Sequence, residues 1–424
     1  MKKTEKIDTK SKEYLNNYSL IEDAIKQHYP KEAVDALMDQ SKRDHLQKTL
    51  QDDFKTIKQE VMNHIIEDIV GLGKFQEFLL DENVTDIGFN GTDLWIETTE
   101  KKFKVDDPEI DEAYVHRIVQ RFANYAHVDW TEKNPRLNTQ LGNIRISATD
   151  KSISPGGITM SMRHARAKLK ISKDNFSSMA DMAVYELLEA FVKSGSNFIV
   201  DGIVGSGKTE LMKMMIGWIP DQEKIIMIED TLETHIKTIY PLKDVYNWQL
   251  LDSLEPFDLI MHAKRNNPTH VILTEALDHA MYQIHQSVKA GFKIMVSLHA
   301  FDAKSVPNVM IDFMRLKYDV PEERMRDEIY HHYDLGIHTD KRDLSDGSKV
   351  RWINEIVEYT PDGLKTLYKR VLDESSGEPV FVDSFEGKVS FQKMESMNER
   401  GIKCEWNILI DGGNHEENND DTRS

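Results

Sequence analysis

The stretch "NFIVDGIVGSGKTELMKMMIGW", residues 197–218, decides the fold. Its centre, Gly202-Ile-Val-Gly-Ser-Gly-Lys208-Thr209, fits the phosphate-loop pattern G-x-x-x-x-G-K-[ST]. Gly202, Gly205 and Gly207, with Ser206 between the last two, let the backbone curl until its N–H groups point at phosphate oxygens. Lys208 reaches the outer phosphates and the Thr209 hydroxyl ligates magnesium. The flanks agree: "NFIV" reads as a strand, and "TELMKMMIG" opens a helix whose N-terminus favours an anion. Glu210 places a negative charge beside the phosphates. Its expected direction is outward to solvent from the first helical turn, where the helix dipole favours it.

Downstream, apolar β-branched runs end in polar residues. "KIIMIEDTLE" ends its strand at Glu229 and Asp230, "THVILTEALD" at Glu275, and "KIMVSLHAFDA" at His299. In a parallel sheet the C-terminal strand ends line the ligand crevice. A carboxylate there can hold the water shell of magnesium or orient a water for in-line attack on a γ-phosphate. Taken singly, each acid suits turn or cap chemistry equally well, and a lone histidine suits packing. Their succession after a phosphate loop points to nucleotide chemistry. The 16 histidines show no H-E-x-x-H spacing, so no zinc site is expected.

Composition sets the frame around these motifs. The 424 residues carry 54 basic and 73 acidic side chains, a net charge of −19, with 39% apolar and 30% charged residues. That balance describes a globular chain and argues against a broad grip on a nucleic-acid backbone, which needs clustered Lys and Arg. No apolar run approaches the ~20 residues of a membrane span. The charged start "MKKTEKIDTKSKEY" lacks the apolar core of a secretory signal, and Cys404 is the single cysteine, so a cytosolic location is the default expectation.

Periodicity predicts helices over residues 1–72. There Phe54, Ile57, Val61, Ile65 and Ile69 fall at helical steps before Gly71. A small α/β domain is expected over 73–165, with "VTDIGFNGTDLWIE" as a hairpin, "DEAYVHRIVQRFANYA" as a helix and "IRISATD" and "GITMSMRHA" as strands. Residues 166–180 read as a linker. From 181 to 345, strands alternate with helices, the pattern of a mostly parallel sheet covered on both faces. A β-rich extension over 346–410 and a disordered acidic tail over 411–424 complete the expected order.

The ordered set "IIEDIVGLGKFQEFLLDENVTDIGFNGTDLWIE", "GSGKTELM", "IMIEDTLE", "PTHVILTEALD" and "VSLHAFDA" resembles the traffic ATPases of type II and type IV secretion. Within them it is most similar to the branch shared by conjugation systems and tight-adherence pili, over about residues 60–345. The resemblance implies a RecA-like P-loop ATPase domain preceded by a smaller α/β domain, with a homo-hexameric ring holding nucleotide between the two. It implies Glu275 as the Walker B glutamate, Glu229 with Asp230 as the acidic box that prepares water, and His299 as the His-box residue. It assigns Arg145 and Arg163 to contacts with the nucleotide from the N-terminal side, and Arg265 to the arginine preceding the Walker B strand. Departures accompany it: Thr274 stands where glycine usually precedes the Walker B glutamate, "KAGFKIMVSLHA" lacks the usual Gly/His/Thr richness, and Ile203 and Val204 replace Gly and Thr.

The expectation that follows is ATP hydrolysis with Mg2+, Thr209 and Glu275 holding the metal, Glu275 directly or through water. The expected setting is a hexamer at the cytoplasmic face of the membrane, peripheral to it, in contact with membrane-embedded and coupling components of a secretion, conjugation or pilus apparatus. No sequence-specific nucleic-acid binding is expected. The alternatives are a nucleotide-binding structural ring with weak or no hydrolysis, and a small-molecule kinase; the sequence lacks the Arg-rich lid of the latter. Pilin, protein effector and conjugative DNA all remain open as cargo.

Overall fold

The computed structural model describes residues 7–402 apart from 10, 30, 31, 34, 35, 37–39, 142, 252, 253, 277–279, 345, 346 and 376–378. Cys404 and the expected acidic tail lie outside the described residues. The chain divides into two compact units, Met1–Ala165 and Arg166–Ser424.

The first unit opens with helices Lys12–His28, Gln40–Asp53 and Gln59–Ile69. Ser11 caps the first of them by accepting from Tyr14 N. Ile21, Ile25, Leu46, Leu50, Met62, Ile65 and Ile66 form their shared core. The helical period that begins at Phe54 in the sequence does not make one helix, because the backbone turns between Asp53 and Gln59. Ile57 stays buried in that turn, and the reversal lets helix Gln59–Ile69 pack against both others.

An antiparallel sheet follows in the order β3-β2-β1-β6-β5-β4. Its strands are β1 Val84–Phe89, β2 Leu94–Thr98, β3 Lys102–Val105, β4 Arg136–Leu141, β5 Ile144–Thr149 and β6 Thr159–His164. The expected β1–β2 hairpin forms, and the Asn90 side chain accepts from Thr92 N and Asp93 N to tighten its turn. Alternation fixes the faces: Ile144, Ile146, Ala148, Met160 and Met162 face the core with Val115, Ile118, Val119 and Phe122 of helix Glu112–Tyr125. Arg145 and Arg163 point the other way.

The second unit is built on a nine-stranded sheet in the order β15-β14-β13-β12-β7-β11-β10-β8-β9. Parallel pairing links β7 Phe198–Gly202, β8 Ile225–Glu229, β9 Val245–Gln249, β10 His270–Leu273, β11 Lys293–Leu298 and β12 Leu335–Asp343. The central strands are buried along their whole length and feed two cores. Phe198, Val200, Ile225 and Met227 face one side, with helices Met182–Lys193 and Lys208–Gly217. Ile199, Ile226 and Ile228 face the other, with helices Pro256–Ala263, Ala280–Lys289, Val306–Arg315 and Glu322–His332. A sheet covered on both faces explains runs such as "IIMI", which need no polar alternation. This is the mostly parallel, RecA-like arrangement expected from the motifs.

The β-rich segment after residue 345 continues the same sheet. β13 Lys349–Thr360, β14 Gly363–Asp373 and β15 Val380–Phe385 add to β12 by antiparallel pairing. Helix Phe391–Glu399 then returns Met397 to the core. The polar stretch 166–180 also carries more than a linker's share of packing, since Ile171, Phe176, Met179 and Ala180 are buried in that core. Among the described residues, no helix is long and apolar enough to cross a membrane.

Candidate nucleotide site

The loop between β7 and helix Lys208–Gly217 holds Gly202, Gly205 and Gly207 at φ of 140°, 77° and 100°, a region costly for side-chain-bearing residues. Gly202 is constrained twice over, because a β-carbon there would collide with the carbonyl of Thr339 on the neighbouring β12. The Ser206 hydroxyl is within reach of Ile203 O at 2.8 Å and Thr339 Oγ1 at 2.7 Å, and Thr339 donates to Asp201 O at 3.1 Å. β12 therefore braces the loop from behind. Gly207 occupies the helix N-cap without a side-chain oxygen to offer, so the first-turn N–H groups face the loop mouth.

Lys208 donates to Gly202 O at 2.8 Å and to Ile203 O at 3.1 Å, and its ammonium lies 3.4 Å from His299 Nδ1. Burial lowers its pKa, partly offset by the charges of Glu275 and Asp201. His299 Nδ1 is 2.9 Å from Gly202 O, and its Nε2 is 3.2 Å from Glu275 Oε1. The sheet order explains this meeting. β7, β11 and β10 are neighbours, so Lys208, His299 and Glu275 project from adjacent strand ends. Glu275 remains about 40% exposed.

Glu229 is placed differently. It is fully buried at the end of β8, where its carboxylate accepts from Glu233 N at 3.2 Å, Thr234 N at 3.0 Å and Thr234 Oγ1 at 2.8 Å. Its oxygens tie down the turn that follows, so it does not join Lys208, Glu275 and His299. The acid that reaches the loop from this segment is Glu233, which accepts from Thr209 Oγ1 at 3.2 Å. The signal for Glu233 in the sequence is slight, a third acid four residues beyond the first in "EDTLE". The Asp230 side chain is exposed, and its carbonyl accepts from Gln249 Nε2 at 3.4 Å. Glu210 does not point to open solvent as expected. It pairs with the buried Lys213 at 3.1 Å and accepts from Lys170 N at 3.4 Å, which neutralises its charge beside the loop.

Below the loop, Asp201 is fully buried and pairs with His338 Nδ1 at 2.6 Å. Burial pushes the Asp201 carboxyl up to about 6, against the opposing pull of His338. Burial lowers His338, but the bond and charge of Asp201 outweigh it and raise its pKa. In the first unit, Arg145 and Arg163 stand directly opposite each other across β5 and β6 on the sheet face turned away from the core. Arg163 also donates to Asp86 at 2.8 Å. Arg265 is exposed in the turn before β10.

A family described as "Type II/IV secretion system protein" matches residues 73–321. The chain belongs to this family. Among its relatives, an uncharacterized protein of Bacillus anthracis is 29% identical over 373 residues, covering 84% of this chain and 85% of that protein. The type IV secretion system protein VirB11 of Bartonella henselae is 26% identical over 254 residues, covering 50% of this chain and 71% of VirB11. Solved structures share the fold of this secretion-family chain. The ATPase DotB of Yersinia pseudotuberculosis superposes with a TM-score of 0.53 at 14% identity, covering 69% of this chain and 79% of DotB. The pilus retraction motor PilT with bound ADP superposes at 0.50 and 14% identity, covering 78% of this chain and 86% of PilT.

Proposed function

We propose that this chain is an ATP-hydrolysing motor of a type IV secretion, conjugation or related pilus apparatus. It would act as a homo-hexamer at the cytoplasmic face of the membrane and contact the membrane-embedded and coupling components there. The observation that carries the reading is the meeting of Lys208, His299 and Glu275 at the mouth of a glycine loop. Family membership and the type IV secretion name of VirB11 support the setting.

The residues present fit a magnesium nucleotide. The loop glycines form a cradle that a β-carbon would fill at Gly202, and Thr209, Glu233 and Glu275 offer the hard oxygen donors that magnesium prefers. Thr209 would hold the ion, with Glu233 and Glu275 anchoring its water shell. Magnesium, when bound, neutralises charge on the phosphate oxygens.

Lys208 and the first-turn N–H groups bind the phosphates and stabilise charge developing on them. Glu275 aligns the attacking water, and the His299 ring fixes that carboxylate while its other nitrogen stays on the loop backbone. Glu229 has no such duty, because its oxygens are committed to the turn that presents Glu233. Arg145 and Arg163 take the coupling role, and their register opposite each other on one sheet face supports it, since a guanidinium is matched to phosphate oxygens.

Phosphate release by the purified protein with ATP and magnesium tests this reading. Lys208→Ala is expected to abolish both nucleotide binding and release. Release from Lys208→Ala at the parent rate would end the mechanism, and tight ATP binding by the parent without any release would favour a nucleotide-gated structural ring.

A further inference from the structure

The C-terminal strands bring two cations to the phosphate loop that the motifs do not include. β12 runs beside β7 with His338 opposite Asp201 and Thr339 opposite Gly202, so its next residues pass along the flank of the loop. There a side-chain carbon built on Gly205 would stand 3.0 Å from Lys341 Nζ. Arg351 on β13 donates from Nε to Gly205 O at 2.9 Å, and its Cδ lies 3.9 Å from the same construction on Gly207. Lys341 and Arg351 are direct cross-strand partners.

Like charges opposite each other on an antiparallel pair are unfavourable. Here they face a loop that already holds Lys208, and the positive charge of Lys341 works against the ammonium of Lys208. Among the described residues the Lys341 ammonium forms no ion pair, and only its backbone N–H reaches a carboxylate, Asp340 Oδ1 at 2.7 Å. Three cations converging with no anion to balance Lys341 is an arrangement that a polyphosphate would relieve.

We propose that Lys341 is a phosphate-binding residue and that Arg351 is a positioning residue, holding the Gly205 carbonyl so that the loop N–H groups stay turned toward the phosphates. The inference rests on the nucleotide reading above and extends the site to β12 and β13. Lys341 adds a charge-assisted bond to the phosphate chain, worth about tenfold in affinity. It also makes binding more sensitive to salt.

The test is equilibrium binding of a fluorescent ATP analogue and of its ADP counterpart by the full chain, at low and high salt. Lys341→Met is expected to bind both about tenfold more weakly and with a shallower salt dependence, while its unfolding midpoint without nucleotide matches the parent. Lys341→Arg is expected to restore most of the affinity. Arg351→Met is expected to weaken both nucleotides with the salt dependence intact, because its role runs through the loop backbone. Should the methionine variant at 341 unfold early, Lys341→Gln provides the same comparison with a polar side chain. A Lys341→Met protein with parent affinity and parent salt dependence overturns this inference alone. A parent that binds no nucleotide overturns the functional reading and this inference with it.

Discussion

At the end of β8, Glu229 is fully buried and both its oxygens are taken by donors of its own turn. At the end of β10, the strand next to it, Glu275 is about 40% exposed and touches a histidine that also contacts the phosphate loop. Both are glutamates at the C-terminal tips of adjacent parallel strands, and position alone does not separate them. What separates them is burial and partner, since one carboxylate is enclosed by its own turn and the other is open beside a histidine. The turn after Glu229 folds back with two N–H groups and a hydroxyl, so that carboxylate is held within its own turn, and Glu233 is the acid of this segment that meets Thr209. Glu275 keeps its carboxylate open to solvent and to His299 Nε2 at 3.2 Å.

The contrast can be broken by experiment, and the largest effect belongs to the buried acid. Glu229→Ala leaves the N–H groups of Glu233 and Thr234 without their acceptor and the Thr234 hydroxyl with only the Met227 sulfur at 3.5 Å, and is expected to destabilise the protein by about 3 kcal/mol. Denaturant unfolding followed by circular dichroism measures it; a loss within experimental error would remove the structural assignment. Glu233→Gln is expected to raise the magnesium concentration needed for half-maximal nucleotide binding by about tenfold, with stability within about 0.5 kcal/mol of the parent. Thr234→Val removes one donor to Glu229 and is expected to cost about 1 kcal/mol, read in the same unfolding experiment.

The smallest effect concerns pH. The folded values of both Asp201 and His338 lie above their ordinary ones, so the native pair binds more protons than the unfolded chain. The stability it contributes is present at low pH and is lost as pH rises, the histidine part from roughly pH 6.5 upward. Unfolding midpoints between roughly pH 6 and 8 are expected to fall with pH in the parent and to fall less in His338→Gln.

The scaffold was legible because its signals are local. Three glycines at fixed offsets, a strand before them and a helix after them locate the loop, and β-branched runs alternating with helical periods give the parallel sheet. The placement of β13 to β15 in that sheet was not legible, since an antiparallel pairing with β12 leaves no mark on a β-rich segment read by itself. Period alone also carried the Phe54 run across a turn, because Ile57 is buried in the turn just as it would be in a helix. At the site, Lys208, Glu275 and His299 meet as their strand-end positions suggest. Glu233 was hidden because its role depends on how the five residues after β8 fold, and Glu210 because its partner Lys213 is set by the next helical turn and its other donor by the backbone of Lys170.

The function proposed above makes Glu275 the residue that aligns water at the nucleotide, and phosphate release by Glu275→Gln is the decisive measurement of it. The expected result is a fall of about a hundredfold or more in release from ATP with magnesium. The unfolding midpoint and ATP affinity should stay close to the parent. A Glu275→Gln protein that hydrolyses ATP at the parent rate, or that loses activity only because it unfolds, would contradict the account.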